Sequence, residues 1–185
     1  MDTFPMQDAF TMRQVLEMFG NVDALDDSDD PKNKMMMNRM IAYKKREANT
    51  CAYAALRGDI ERLRNVHENG YYWNEYTCEE AASTGSLECL KYAHENGCPW
   101  NRMTCSYASR NGHLECLKYA HENGCPWDEE TCSNASRNGH LKCLKYAHEN
   151  GCPWDEDTCA FASKYGQLEC LKYAFENGCP WDYVL

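Results

Sequence analysis

Residues 104–130 read TCSYASRNGHLECLKYAHENGCPWDEE, and this stretch decides the fold because it is one of five variants of a single block. Its opening threonine recurs as Thr50, Thr77, Thr104, Thr131 and Thr158, a constant step of 27 residues. Gly58, Gly85, Gly112, Gly139 and Gly166 keep the same step, as do Trp73, Trp100, Trp127, Trp154 and Trp181. A fixed period of this size marks a solenoid or array. One such unit is too small to bury its own apolar face, so the copies must stack. The units run over residues 50–76, 77–103, 104–130, 131–157 and 158–185.

Each unit divides into two short helices. In the second copy Cys78, Ala81, Ala82 and Gly85 fall at i, i+3, i+4 and i+7, one helical face of small residues. The threonine is expected to N-cap this first helix, with Glu80 three residues after Thr77 in capping-box spacing. The second helix is predicted from Leu87 to about Asn96, with Leu87, Leu90 and Ala93 as its apolar stripe, widened by Cys89 and Tyr92. Glu88, Lys91 and Glu95 occupy the remaining face at ion-pair spacing. Gly97 stands where a left-handed residue ends a helix, and Pro99 blocks continuation. Trp100 and its equivalents are too large and too regular to be solvated in every copy, which predicts a tryptophan row along the seams between units.

The core pattern A-[AS]-x-x-G-H-L-E-x-L-K, shown well by Ala135, Ser136, Gly139, His140 and Leu141, resembles the ankyrin repeat. The resemblance covers Thr50 to Leu185. It departs from the family in its T-C-x-x opening and in its period, which is about 33 residues in ankyrin repeats. The shortfall falls after the second helix, where the β-hairpin finger is expected to shrink to a C-P-W-[ND] turn. This short form resembles the arrays of giant DNA viruses of protists and of some protists. The resemblance implies an all-α solenoid of five helix-turn-helix repeats and a non-catalytic, protein-binding scaffold. It also raises a second reading, a substrate adaptor for a ubiquitin ligase, although residues 1–49 show no F-box pattern.

Residues 1–49 do not follow the repeat. Phe10, Val15, Leu16, Met18 and Phe19 suggest one amphipathic helix. An acidic run, Asp26-Asp27-Ser28-Asp29-Asp30, precedes Pro31, which is well placed to open a second helix to about Ala48. An N-terminal helical cap over the first repeat is the expected role, with partner docking as the alternative.

The formal net charge of −10 argues against duplex nucleic acid and anionic membranes as partners. No apolar run reaches the length of a membrane span, and no signal-peptide pattern opens the chain. All thirteen cysteines lie in the repeats at three fixed positions. Equivalent residues of stacked helices stand about 8–10 Å apart, beyond the roughly 7 Å between Cα atoms that a disulfide allows. A reducing, intracellular and cytoplasmic setting is therefore expected. A metal-binding or redox-responsive reading competes, with a conditional bridge between Cys125 and Cys132 as its sharpest form. Spacing opposes a metal site: no C-x-x-C occurs, and His67, His94, His121 and His148 are matched by Phe175 in the fifth copy. No metal or cofactor is expected. No nucleophile, phosphate-loop or cofactor fingerprint appears, and the Asp128-Glu129-Glu130 and Asp155-Glu156-Asp157 runs are expected to solvate turns.

Positions identical in all copies are accounted for by packing; those that differ are free to recognise a partner. On the first helices these are the third, sixth and seventh residues after the threonine. They are Tyr53, Leu56 and Arg57; Glu80, Ser83 and Thr84; Tyr107, Arg110 and Asn111; Asn134, Arg137 and Asn138; Phe161, Lys164 and Tyr165. This stripe is expected to line a concave groove. Its Tyr and Arg content, typical of interface hot spots, points to an acidic or aromatic-bearing protein segment.

Overall fold

The computed structural model describes residues 50–181, and the expectations for residues 1–49 and 182–185 lie outside them. Among the described residues ten helices follow one another as five antiparallel pairs. They are α1 (Cys51–Leu56) with α2 (Ile60–Glu68), α3 (Glu75–Thr84) with α4 (Leu87–Glu95), and α5 (Arg102–Arg110) with α6 (Leu114–Glu122). Then come α7 (Glu129–Arg137) with α8 (Leu141–Glu149), and α9 (Glu156–Lys164) with α10 (Leu168–Glu176). No strand forms among the described residues, and the finger is reduced to a short turn through Cys-Pro-Trp.

The first helices α1, α3, α5, α7 and α9 pack side by side in one row, and the second helices form the other. The first row is much the tighter. Its buried faces are built from Cys, Ala and Ser: Cys105, Ala108 and Ser109 are wholly buried, as are Cys132, Ala135 and Ser136. Side chains this small let neighbouring backbones approach closely. The second helices bring Leu63, Leu90, Leu117 and Leu144 into the core, and bulkier residues keep them further apart. The first helices therefore form the more closely packed side of the array.

The threonines do not cap as expected, except in the first repeat. There Thr50 Oγ1 accepts from Tyr53 N at 3.1 Å. In the other four repeats the helix starts three residues earlier, and the Asn or Asp after the tryptophan is the N-cap. Asn101 accepts from Met103 N, and Asp128 from Glu130 N. These residues cap well, and nothing after the Cys-Pro-Trp turn delays the helix. Thr77, Thr104, Thr131 and Thr158 are left inside the first turn, fully buried, with hydroxyls that lack hydrogen-bond partners. The acidic runs accordingly open helices instead of solvating turns: Glu129 and Glu130 lie in the first turn of α7, where negative charge complements the helix dipole.

Each seam carries the same three rings. His94 stacks on Trp100 with centroids 3.7 Å apart and meets Tyr119 of the next repeat edge-on at 5.8 Å. His94 Nδ1 and the Tyr119 hydroxyl share a hydrogen bond of 3.1 Å. The set repeats as His67, Trp73 and Tyr92, as His121, Trp127 and Tyr146, and as His148, Trp154 and Tyr173. The tryptophan row is thus a seam element, and the recurrent histidines pack as rings. A second seam bond comes from the residue after the turn glycine: His113 Nε2 donates to the Ser83 carbonyl at 3.1 Å, and Gln167 Nε2 to the Arg137 carbonyl at 3.4 Å.

Candidate partner-binding face

The variable stripe is the side of the first helices turned away from their small-residue core. Its cations stand at one level, in the last turns of α5, α7 and α9, where positive charge also complements the helix dipole. Arg110, Arg137 and Lys164 are exposed, and no carboxylate among the described residues forms an ion pair with them. In the second repeat the stripe is acidic: Glu80 is half-buried, and burial followed by the charge of neighbouring Glu79 raises its carboxyl above the usual range.

The structure brings four stripe residues together. The Arg137 guanidinium lies over the rings of Tyr165 at 4.8 Å and Phe161 at 5.7 Å. Those two rings meet edge-on at 6.4 Å, and Lys164 Nζ lies 5.7 Å from the Tyr165 centroid. This cluster spans the seam between the fourth and fifth repeats. Tyr107 is half-buried one repeat further on from Glu80.

Other stripe residues are occupied with holding the array. Asn111 and Asn138 are C-cap residues whose amides donate back to the Tyr107 and Asn134 carbonyls. Asn111 also reaches Ser83 Oγ at 3.2 Å, and Asn134 reaches Ser106 Oγ at 2.9 Å, each crossing to the preceding repeat. Thr84 Oγ1 donates to the Ala55 carbonyl across the first seam. Tyr53 sits beneath Arg62 of α2 at 5.4 Å, and Arg57 is an exposed C-cap. The exposed cations Arg110, Arg137 and Lys164 and the Phe161 and Tyr165 rings are therefore all in repeats three to five.

Sequence reasoning overlooked Glu79, which is buried and accepts from Asn101 Nδ2 at 2.9 Å. Only its departure from the Ser106 and Ser133 of later copies could have drawn notice. It also overlooked the pairing of Arg102 with Asp128 at 2.9 Å across the next seam.

The thirteen cysteines are buried free thiols. The suggested approach of Cys125 to Cys132 is not what the chain does. Cys125 turns back under its own first helix and donates to the Asn101 carbonyl at 3.2 Å, with the Cys105 thiol as its neighbour. Cys98, Cys152 and Cys179 donate to the Asn74, Asp128 and Asp155 carbonyls in the same way, each at 3.2 Å, beside Cys78, Cys132 and Cys159. Burial pushes the Cys116, Cys143 and Cys170 thiols up to about 11, which makes them poor nucleophiles and poor metal ligands. Among the described residues no group of three or more His, Cys, Asp or Glu side chains is placed to hold a metal ion. No helix among them is long and apolar enough to cross a membrane.

Comparison with known proteins agrees with this architecture. Residues 78–121 match the family model described as ankyrin repeats in many copies. The crystal structure of the human ASB11 ankyrin repeat domain is similar with a TM-score of 0.61 and 20% identity, over 70% of this chain and 69% of that one. At that identity the likeness concerns the fold. No curated protein matches the sequence. Residues 78–121 thus carry ankyrin repeats, and the five stacked helix pairs with truncated fingers have the fold of an ankyrin-repeat array.

Proposed function

We propose that this array is a non-catalytic scaffold that holds a protein partner against the first-helix face of repeats three to five. The observation that supports this most is the contrast between the two sides of the array. The outer helices α4, α6, α8 and α10 repeat LECLKYAHE almost unchanged, and only α2 departs from it. The inner face changes residue from copy to copy while its core stays constant. The variable residues include the Arg137, Phe161, Lys164 and Tyr165 cluster, whose cations and rings are of the kind that dominate interfaces.

The test compares the wild-type chain with R110E/R137E/K164E in affinity capture, each carrying a photo-crosslinking residue at the exposed Ser163 or, as control, at Lys145 on the outer helix α8. We expect a partner crosslinked from position 163, not from 145, and lost in the triple variant with helicity unchanged. Equal capture by both chains, or crosslinking only from the outer face, would move the site elsewhere.

A further inference from the structure

Repeats two to five each bury two cysteines at one spot. Cys98 lies in the turn after α4, and its Sγ donates to the Asn74 carbonyl at 3.2 Å. Asn74 is the N-cap of α3, and Cys78 stands four residues further on, about one helical turn away. Helix side chains lean back toward the N-terminus, so the Cys78 thiol overlies the turn that Asn74 opens. The two thiols are neighbours there. The same bond to the N-cap carbonyl recurs at 3.2 Å from Cys125 to Asn101, from Cys152 to Asp128 and from Cys179 to Asp155. Cys105, Cys132 and Cys159 stand beside these in turn. In the fifth repeat Cys159 and Cys179 form a buried cluster of their own with Ala174.

The remaining cysteines lack this arrangement. Cys51 has Tyr71 where later repeats have the second cysteine, and its Sγ donates to the Tyr71 carbonyl at 3.6 Å. Cys89, Cys116, Cys143 and Cys170 come one to a second helix, and equivalent residues of packed helices lie about 8–10 Å apart. The surroundings of the paired thiols are Ala, Leu and Cys side chains of the core. An ion held between two thiols would put charge into that apolar core, which burial opposes. A disulfide is uncharged and draws the sulfurs together to about 2.05 Å, so it needs no added room and no third ligand.

We infer that Cys78 with Cys98, Cys105 with Cys125, Cys132 with Cys152 and Cys159 with Cys179 are four oxidation sites that a small peroxide closes into disulfides, each stapling a Cys-Pro-Trp turn to the first helix of its own repeat. The cysteine before the proline reacts first, because Cys98, Cys125, Cys152 and Cys179 keep 3–7% exposure while their partners have none. Its sulfur attacks one peroxide oxygen, the O–O bond breaks, and a sulfenic acid and one water form. The partner sulfur then attacks the sulfenic sulfur. The S–O bond breaks, the S–S bond forms and a second water leaves. Two electrons pass from the sulfurs to the peroxide, and both thiol hydrogens end in water. These sites lie near the starts of the first helices, whereas Arg110, Arg137 and Lys164 lie in last turns, so the inference stands apart from the partner reading.

The test reduces the full chain, removes the reductant and exposes the folded protein to hydrogen peroxide at neutral pH. The chain is then unfolded, alkylated, and digested at Lys, Arg and Glu without reduction for mass spectrometry. The four named links are expected, each lighter by two hydrogens, with Cys51, Cys89, Cys116, Cys143 and Cys170 alkylated. Cys125→Ala should free Cys105 for alkylation and leave the other three links intact. Oxidation in urea is the comparison, and there the pairings should scatter. Links between repeats in the folded chain, such as Cys125 to Cys132, would overturn the inference. So would equal scatter with and without urea, or oxidation to sulfinic acid without links. Thiols that all stay open to alkylation, after an exposure that links the chain in urea, would overturn it as well.

Discussion

At Gly112 the backbone takes φ +78°, and a Cβ there would lie 2.6 Å from Nδ1 of His140 in the following repeat. Two constraints therefore act on one residue: a left-handed turn, and a neighbouring ring that occupies the space of a side chain. Gly124, at φ +84°, has nothing within 4 Å and carries only the first constraint. Gly124→Ala is expected to cost about 1 kcal/mol, the left-handed penalty alone. Gly112→Ala should cost about 2–3 kcal/mol, since the His140 ring must also give way to the new methyl group. Urea denaturation of the two variants checks this, and equal midpoints would remove the steric role of His140. Both glycines were legible from periodicity as turn residues. Which of them faces a ring was not, because His140 arrives from 28 residues away.

Between elements, the start of each first helix shows how one residue tunes a seam. Arg102 at the start of α5 pairs with the N-cap Asp128 of the next repeat. One repeat later the corresponding residues are Glu129 and Asp155, and both are acidic. Asp155 makes no side-chain cap bond, and one of its oxygens is buried without a partner. Burial first, then the charges of Asp157 and Glu156, raise its carboxyl above the usual range. The sign follows: the folded state holds this proton to a higher pH than the unfolded chain does. The penalty is absent below the unfolded value and grows as pH rises through the raised folded value. Asp155→Asn is expected to stabilise the array by about 0.5 kcal/mol at neutral pH, since Asn caps as well as Asp without the charge. Thermal melts at pH 7 and pH 3.5 measure it: the gain should shrink at the lower pH, and a gain equal at both would contradict the electrostatic cause. The helix pairs themselves follow from residue spacing, yet the displaced N-cap does not. Threonine and Asn/Asp are both good caps, and only the extended backbone at Asn101 and Asp128 shows which is used.

In the whole array the repeats are alike in sequence and unlike in cover. Leu114 and Leu141 are half-buried between repeats, whereas the equivalent Leu168 is 73% exposed. Phe175, in place of the stacked histidines, is 61% exposed beside an open hollow of about 520 Å³ that Leu171 and Trp181 also line. A repeat with one neighbour gains one interface where an internal repeat gains two. Amide hydrogen exchange is therefore expected to be fastest in α10 among the second helices α4, α6, α8 and α10, and slowest in α6. Equal protection in α6 and α10 would show that the end face is covered. Within this molecule, the five repeats, their two helices and the seam position of the tryptophans were set by sequence alone, because period and apolar spacing are local properties that any stacking must satisfy. Only the tertiary structure decided which thiols meet, which stripe asparagines are consumed by seam bonds, and that Arg137, Phe161, Lys164 and Tyr165 form one cluster. Those contacts join residues a full repeat apart, and their geometry depends on how closely the small-residue helices approach.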